Sequence, residues 1–599
     1  MSVAWEEEDN DLQSGYEGRV LKRLGGYLKP YKMMLVLVLL SVILASLMQT
    51  AGPFIVKEAI DGQIQQGTTD DLGELVLLYV GTLLGVFILQ FLQTMLVTYI
   101  GQRVMMDMRL ELFQHVQKMS IAFFDRNPVG RLVTRLTNDV STIEEVMQRG
   151  VVEMVYNVIL IIAMVTALFI LDWQLALIMM VTVPPLVYAV RNFALNLRDS
   201  FRRQRAWLAR LNAFLNENIT GMAVVQLFNR QDRNLKRFDE RNVGFCKAAL
   251  KATYYFAAFE PTVVLFNAVT TAAIIWYGGG RVVEGALTLG TLVAFLQLMQ
   301  FFFWPVRELA ERSTNLQQAL ASCERIFAVL DEPEEVTDDE SAMTLTQIEG
   351  HVAFDHVWFA YDGENWVLRD VSFEIDPGEA VAVVGATGAG KSTMMNLLNR
   401  FYDVQRGEIR VDGQPVKTLR QRELRREVGM VLQDPFIFTD SVTENIRMRD
   451  ASITDEQVRE AAEQVGADAF IQRMPQGYDT QMAERGGNLS TGQKQLISLA
   501  RVAAFNPKIV LVMDEATASI DPETEAALQT SMGRVMSNRT SIIIAHRLNT
   551  IRHVNRILVL QHGELVEEGT HEELLARGGI YARLYELQYK DQDISIERR

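Results

Sequence analysis

Eight consecutive residues, Gly385-Ala386-Thr387-Gly388-Ala389-Gly390-Lys391-Ser392, follow directly on the apolar run Val381-Ala382-Val383-Val384. The spacing is G-x-x-x-x-G-K-S, lying where a buried strand gives way to a helix, which is the setting this motif requires. Glycines let backbone N–H groups approach phosphate oxygens closely, and the helix N-terminus adds a field that favours anions. Lys391 is placed to reach the β and γ phosphates of ATP and Ser392 to ligate Mg²⁺, with Thr393 next along the helix. A second apolar run, Ile509-Val510-Leu511-Val512-Met513, ends in Asp514-Glu515. Asp514 suits a carboxylate supporting the Mg²⁺, and Glu515 is placed to polarise an attacking water as general base. A third run, Ile542-Ile543-Ile544-Ala545, ends in His546, which can hydrogen-bond the γ-phosphate and that water. The chemistry implied is Mg²⁺-dependent ATP hydrolysis.

Such residues must be carried to one edge of a sheet, and the second half of the chain has the pattern for it: apolar and charged residues alternate in globular fashion. The first half is different. Hydrophobic residues make up 49% of the 599, yet mean hydropathy is only +0.07. The apolar residues are concentrated in long uncharged runs at 33–54, 75–100, 154–171, 174–190, 261–280 and 287–306. A span needs roughly 20 apolar residues to cross a ~30 Å hydrocarbon layer, so six spans are expected. Asp172 and Trp173 alone separate the third from the fourth, which predicts a tight hairpin, and Pro184-Pro185 predict a tolerated kink.

Basic residues set the orientation. Arg19, Lys22, Arg23, Lys29 and Lys32 precede the first span, and the long connections near 101–150 and 195–250 are Arg-rich, whereas the opposite loops hold little beyond Lys57, Asp172 and Arg281. Both ends and the long connections are therefore expected in the cytoplasm. Those connections read as helical extensions of the spans, broken at Asn127-Pro128-Val129-Gly130 and at Thr220-Gly221. Residues 18–30 read as an amphipathic helix on the inner surface. The acidic opening reads as neither a cleavable leader nor an import signal, and a bacterial inner membrane is the expected location. The formal charge of −16 argues against a nucleic-acid partner, and Cys246 and Cys323 have no metal-ligand spacing.

From about residue 18 to 588 the chain resembles ABC transporters of the exporter type, with fused membrane and nucleotide domains. The most specific segment is Leu489-Ser490-Thr491-Gly492-Gln493, similar to the family's L-S-G-G-Q signature. The resemblance implies that this loop is presented to ATP held by a partner's phosphate loop, so that two ATP molecules are sandwiched between two chains. It also implies that Tyr361 stacks on adenine, that Gln433 senses Mg²⁺, that Ser519 and Asp521 lie in a loop crossing the dimer interface, and that Glu484-Arg485-Gly486-Gly487 couple to the membrane helices. The tips near 127–135 and 220–230 resemble the coupling helices that dock on the ATPase domain.

The expected fold is then an all-α membrane domain (33–325) behind a short acidic and amphipathic segment (1–32), a linker (326–345), an α/β ABC-type ATPase domain (346–590) and a tail (591–599). The expected function is ATP-driven export of amphiphilic small molecules or lipids as half of a dimer, with an ATP-gated channel as the alternative. One departure stands out: Thr491 occupies a position where the family has glycine, while Asp514-Glu515 and His546 are intact. In heterodimeric exporters one chain has an altered signature and its partner lacks the catalytic Glu, so a heterodimer with one competent and one weak site is expected over a homodimer. Glu260, beside Pro261 at the start of the fifth span, is the candidate substrate-facing carboxylate, and Phe301-Phe302-Phe303-Trp304 line the sixth span.

Overall fold

The computed structural model describes residues 17–147, 152–344, 348–514, 522–545, 551 and 554–588. They divide into two compact units, one within Met1–Gln117 and Pro128–Glu332, the other within Lys118–Asn127 and Pro333–Arg599.

The first unit is helical. Amphipathic α1 (Glu17–Leu28) leads into α2 (Lys32–Glu58), followed by α3 (Leu72–Lys118). After the tip helix α4 (Ile121–Arg126) come α5 (Val129–Thr134), α6 (Val140–Glu145), α7 (Val152–Leu171), α8 (Trp173–Thr220), α9 (Met222–Leu227), α10 (Gln231–Val283) and α11 (Leu289–Leu330). Five helices among the described residues are long and apolar enough to cross a membrane, and α11 adds the apolar stretch Leu289–Pro305. At 1.5 Å per residue, the 47 residues of α3 extend for about 70 Å, more than twice a hydrocarbon layer, so the spans run on as the sequence predicts. Pro184 and Pro185 lie inside α8 without ending it.

At the first tip, Asn127 is extended (φ −117°, ψ 103°), as a residue before proline favours, and separates α4 (121–126) from α5 (129–134); where 127–135 was expected as the coupling segment, it is α4 that belongs to the ATPase unit. The second tip falls where expected, with Gly221 separating α8 from α9.

The sparse loop charges form caps. Asp172 accepts from the amides of Gln174 and Leu175, both at 3.0 Å, and so starts α8. Its other oxygen pairs with Arg281 at 2.7 Å, tying the α7–α8 turn to the end of α10. Asp61 likewise accepts from Thr288 and the Gly290 amide at the start of α11. A Cβ on Gly290 would come within 2.6 Å of that carboxylate, which only glycine avoids.

Inside the bundle, Val42, Leu160, Met164, Leu175, Met179, Ile274 and Phe295 are buried against one another. Leu77, Phe87 and Ile88 of α3 point outward, as suits a helix whose surroundings are hydrocarbon. Tyr156 donates to Gln49 at 2.7 Å and accepts from Gln90 at 3.4 Å, joining α2, α3 and α7 by polar bonds. Beyond the spans, Arg325 grips the buried Asp139 through Nη2 at 2.6 Å and Nε at 3.1 Å. Helix α1 is clamped in the same unit. Arg23 pairs with Asp331 at 2.5 Å and lies 4.5 Å over the Phe327 ring, and Tyr27 donates to Glu111.

The second unit holds two sheets. The smaller is antiparallel, in the order β2 (Trp366–Ile375), β1 (Val352–Ala360), β4 (Arg406–Val411), β5 (Gln414–Pro415). The larger runs β10 (Glu564–Gly569), β9 (Arg556–Gln561), β3 (Ala380–Gly385), β8 (Thr540–Ala545), β7 (Ile509–Asp514), β6 (Val428–Val431). From β9 to β6 the pairing is parallel, and β3 and β8 are buried on both faces, which explains their near-continuous Val, Ile and Ala. The acidic linker is strapped onto this unit. Buried Arg400 bonds Asp338 at 3.0 Å and the Thr337 carbonyl at 2.9 Å.

Candidate functional site

Parallel pairing sends the C-terminal ends of β3, β8, β7 and β6 to the same edge of the larger sheet, where α/β folds place their ligands. The G-x-x-x-x-G-K-S loop leaves β3 there and leads into α12 (Lys391–Leu398). The loop geometry explains two of its glycines. Gly388 (φ +83°) and Gly390 (φ +101°) occupy the left-handed region, and a Cβ on Gly390 would lie 2.6 Å from Leu368. Lys391 is buried, with its ammonium donating to the Gly385 carbonyl at 2.8 Å and that of Ala386 at 3.1 Å. A positive charge is thus held at the centre of a ring of backbone groups, with Ala386, Thr387, Gly388 and Ser392 exposed at its mouth while Ala389 is buried beneath.

Strand β7 ends at Asp514, paired in register with Ala545, the last residue of β8. The next residues along each strand, Glu515 and His546, lie outside the described residues, as do Ser519 and Asp521. Gln433 is exposed two residues past the end of β6. Among the described residues no group of three or more His, Cys, Asp or Glu could hold a metal ion. The donors present, the Ser392 hydroxyl and the Gln433 carboxamide, are oxygen donors on an open edge. They fit a Mg²⁺ that keeps most of its coordination sphere for phosphate and water.

Tyr361, just past β1, is 47% exposed, with its hydroxyl 3.1 Å from that of Thr393 in the first turn of α12. An aromatic face is thereby presented beside the phosphate loop. The sequence of the signature forms the start of the long helix α16, reached after α13 (Gln421–Glu427), α14 (Val442–Arg447) and α15 (Asp455–Gln464); α16 spans Thr491–Phe505. Ser490 and Gln493 close a reciprocal capping box, the Ser490 hydroxyl accepting from the Gln493 amide at 3.3 Å and the Gln493 carboxamide accepting from the Ser490 amide at 2.9 Å. Leu489 and Gly492 are buried, whereas Thr491 is exposed in the first turn. Gly486 (φ +64°) packs its Cα against Ile437, where an added Cβ would sit 3.0 Å away, so the Glu484–Gly487 segment rests on the loop that follows Gln433.

Arg501 has a role that motif reading overlooked. From the interior face of α16 it donates to the Phe436 carbonyl at 2.8 Å, the Asn445 carbonyl at 2.7 Å and the Asn445 side chain at 3.0 Å. Asn445 in α14 itself binds the amide and carbonyl of Phe438. Together they fix the loop after Gln433 to the helix that begins with the signature. Burial pushes the Arg501 guanidinium down to about 10, so it remains charged at neutral pH. The available signal was a cation set among Leu499, Ala500, Val502 and Ala503 in the apolar second half of the helix. Arg501→Leu takes the guanidinium donor from the Phe436 and Asn445 carbonyls and leaves the Asn445 side chain only its bonds within the loop and α14. The expected cost is about 2 kcal/mol, read as a drop of about 4–8 °C in the thermal inactivation temperature.

Glu260 lies within α10, which continues through Pro261, at an exposed position of the first unit. In α11, Phe302 and Phe303 are buried in the bundle while Phe301 and Trp304 face outward, dividing the aromatic run between helix packing and surroundings.

Comparison with known proteins agrees with this geometry. Residues 35–306 match the ABC transporter transmembrane region, and residues 368–518 match the ABC transporter domain. An uncharacterised ABC transporter ATP-binding protein of Bacillus subtilis (strain 168) is 37% identical over 97% of this chain and 96% of its own. An ATP-dependent lipid A-core flippase of Syntrophus aciditrophicus (strain SB) is 35% identical over 96% of each chain. A putative multidrug export ATP-binding/permease protein of Staphylococcus aureus (strain NCTC 8325 / PS 47) is 36% identical over 95% of this chain and 100% of its own. The solved structure of a bacterial Atm1-family ABC exporter with ATP bound superposes with a TM-score of 0.74 at 29% identity, over 93% of this chain and 98% of that one.

Proposed function

From a chain that belongs to the ABC transporter family, an exporter half-transporter whose membrane and ATPase regions are fused and which couples ATP hydrolysis to transport, we propose a heterodimeric exporter of amphiphilic small molecules or lipids. In this reading the two cytoplasmic ends and the ATPase domain lie inside a bacterial inner membrane, consistent with the Arg-rich connections. Relatives described as a lipid A-core flippase and as a putative multidrug exporter favour an amphiphilic cargo. Glu260 is proposed to face that cargo, where a carboxylate would select for cationic amphiphiles.

The ATP would lie with its phosphates on the loop from Gly385 to Ser392 and its adenine on Tyr361. Lys391 and the loop amides bind the β and γ phosphates, and Ser392, Gln433 and Asp514 would hold a Mg²⁺ that neutralises phosphate charge. Glu515 polarises a water for in-line attack on the γ-phosphorus. The bond from that phosphorus to the β-γ bridging oxygen then breaks, and ADP departs. His546 orients the γ-phosphate and the water. Ser490, Thr491 and Gly492 close over the ATP of the partner chain, with Ser519 and Asp521 along the interface.

The observation that carries the heterodimer is Thr491. It lies exposed in the first turn of α16, flanked by a capping box that keeps the helix start intact. The substitution therefore alters only the surface offered to the partner's nucleotide, while this chain's own phosphate loop is complete. The test is Mg²⁺-dependent ATP turnover by the chain purified alone in lipid. Low turnover, raised at least tenfold by a co-expressed related half-transporter, is the expected result; vigorous turnover by the chain alone would establish a homodimer instead.

A further inference from the structure

Helix α4 is anchored to the ATPase unit at both of its ends. The Ser120 hydroxyl donates to Glu335 at 3.2 Å, and Arg126 pairs with the same carboxylate. Asp125 accepts a hydrogen bond from the Tyr402 hydroxyl. Tyr402 stands edge-on to Tyr361, with ring centroids 5.1 Å apart at 86°, and edge-on to Phe359 at 5.5 Å. The Tyr361 hydroxyl reaches Thr393 at 3.1 Å. Burial and the Asp125 carboxylate both push the Tyr402 phenol well above its ordinary range, so it stays protonated and its O–H remains a donor. One unbroken route thus runs within the second unit from the first turn of the phosphate-loop helix, through two aromatic rings, to helix α4.

We propose that Tyr402 is a positioning residue that ties adenine occupancy to helix α4: its ring sets the orientation of Tyr361, and its hydroxyl passes displacement of that ring to Asp125. The inference rests on Tyr361 being the adenine platform proposed above. Tyr361 is half exposed and is held laterally by two ring edges, that of Phe359 at 4.9 Å and that of Tyr402 at 5.1 Å. An edge-to-face pair is worth about 0.5–1.5 kcal/mol and weakens by about a quarter to a half on opening a gap of about 0.5–1 Å, so a purine that shifts the Tyr361 ring also draws on Tyr402. Phe359 abuts both rings, so the three aromatics form one cluster, and the Asp125 bond is the polar link from that cluster to α4.

The experiment is backbone hydrogen exchange across residues 118–127 of the full chain in lipid nanodiscs, with and without ATP, in a Glu515→Gln background that prevents turnover. ATP is expected to slow exchange there. Tyr402→Phe, which keeps the ring and removes one oxygen, is expected to cut that nucleotide-dependent difference by at least half while the ATP Kd changes less than about twofold. Asp125→Ala should do the same, and the double variant no more than either single one. Tyr402→Leu, which also removes the ring, should raise the ATP Kd by about two- to tenfold. A purely structural Tyr402 would change exchange equally with and without ATP, and that result overturns the proposal. So does a full-sized difference in Tyr402→Phe, or no difference in the parent. Failure of the platform reading is separately visible, since Tyr361→Leu would then leave the ATP Kd unchanged.

Discussion

Lys391→Ala is expected to lower ATP turnover by about 10²–10³, the usual consequence of deleting one preorganised charge aimed at a developing transition-state anion. The structure explains why a neighbouring cation will not compensate. The Lys391 side chain is buried beneath the loop, and its ammonium is directed by the Gly385 and Ala386 carbonyls. Arg400, also in the second unit, is committed to Asp338 and the Thr337 carbonyl. If Lys391 contacts phosphate in the ground state as proposed, nucleotide affinity should fall together with turnover. Steady-state hydrolysis alongside equilibrium ATP binding separates the two effects. Turnover within threefold of the parent would exclude Lys391 from the reacting centre.

Glu515→Gln should have a comparable effect on the rate and the opposite one on occupancy. Removing a general base costs about 10²–10⁴ in turnover while leaving the phosphate loop and Tyr361 intact. ATP should therefore bind and remain, holding paired chains closed, so an ATP-dependent dimer should accumulate on size exclusion where the parent shows none. β7 ends at Asp514 in register with Ala545, at the edge of the sheet from which the phosphate loop leaves β3, and Glu515 is the next residue in sequence. Hydrolysis by Glu515→Gln at the parent rate would move the base to another residue, with His546 the first to examine.

Much of this protein is determined by neighbours in sequence. Six apolar runs, the strand-to-loop transition at Val384-Gly385 and the cap at Ser490 are set within a few residues, because helix period, glycine φ and capping are local physics. Helix α4 shows the boundary of that legibility. A break near Pro128 was evident, yet which side of it forms the tip depended on the extended Asn127 and on burial of Phe123, a tertiary matter. The fold alone decided which polar side chains meet. Arg501 finds Asn445 across 56 residues, Arg325 finds Asp139 across 186, and Tyr402 finds Asp125 across 277. A charged or hydroxylated side chain carries no periodicity that marks a distant partner, and its position is resolved only when packing brings the two together and burial penalises leaving either one unsatisfied. The residues proposed to bind phosphate were therefore legible in the sequence, and those proposed to connect them to α4 only in the tertiary structure.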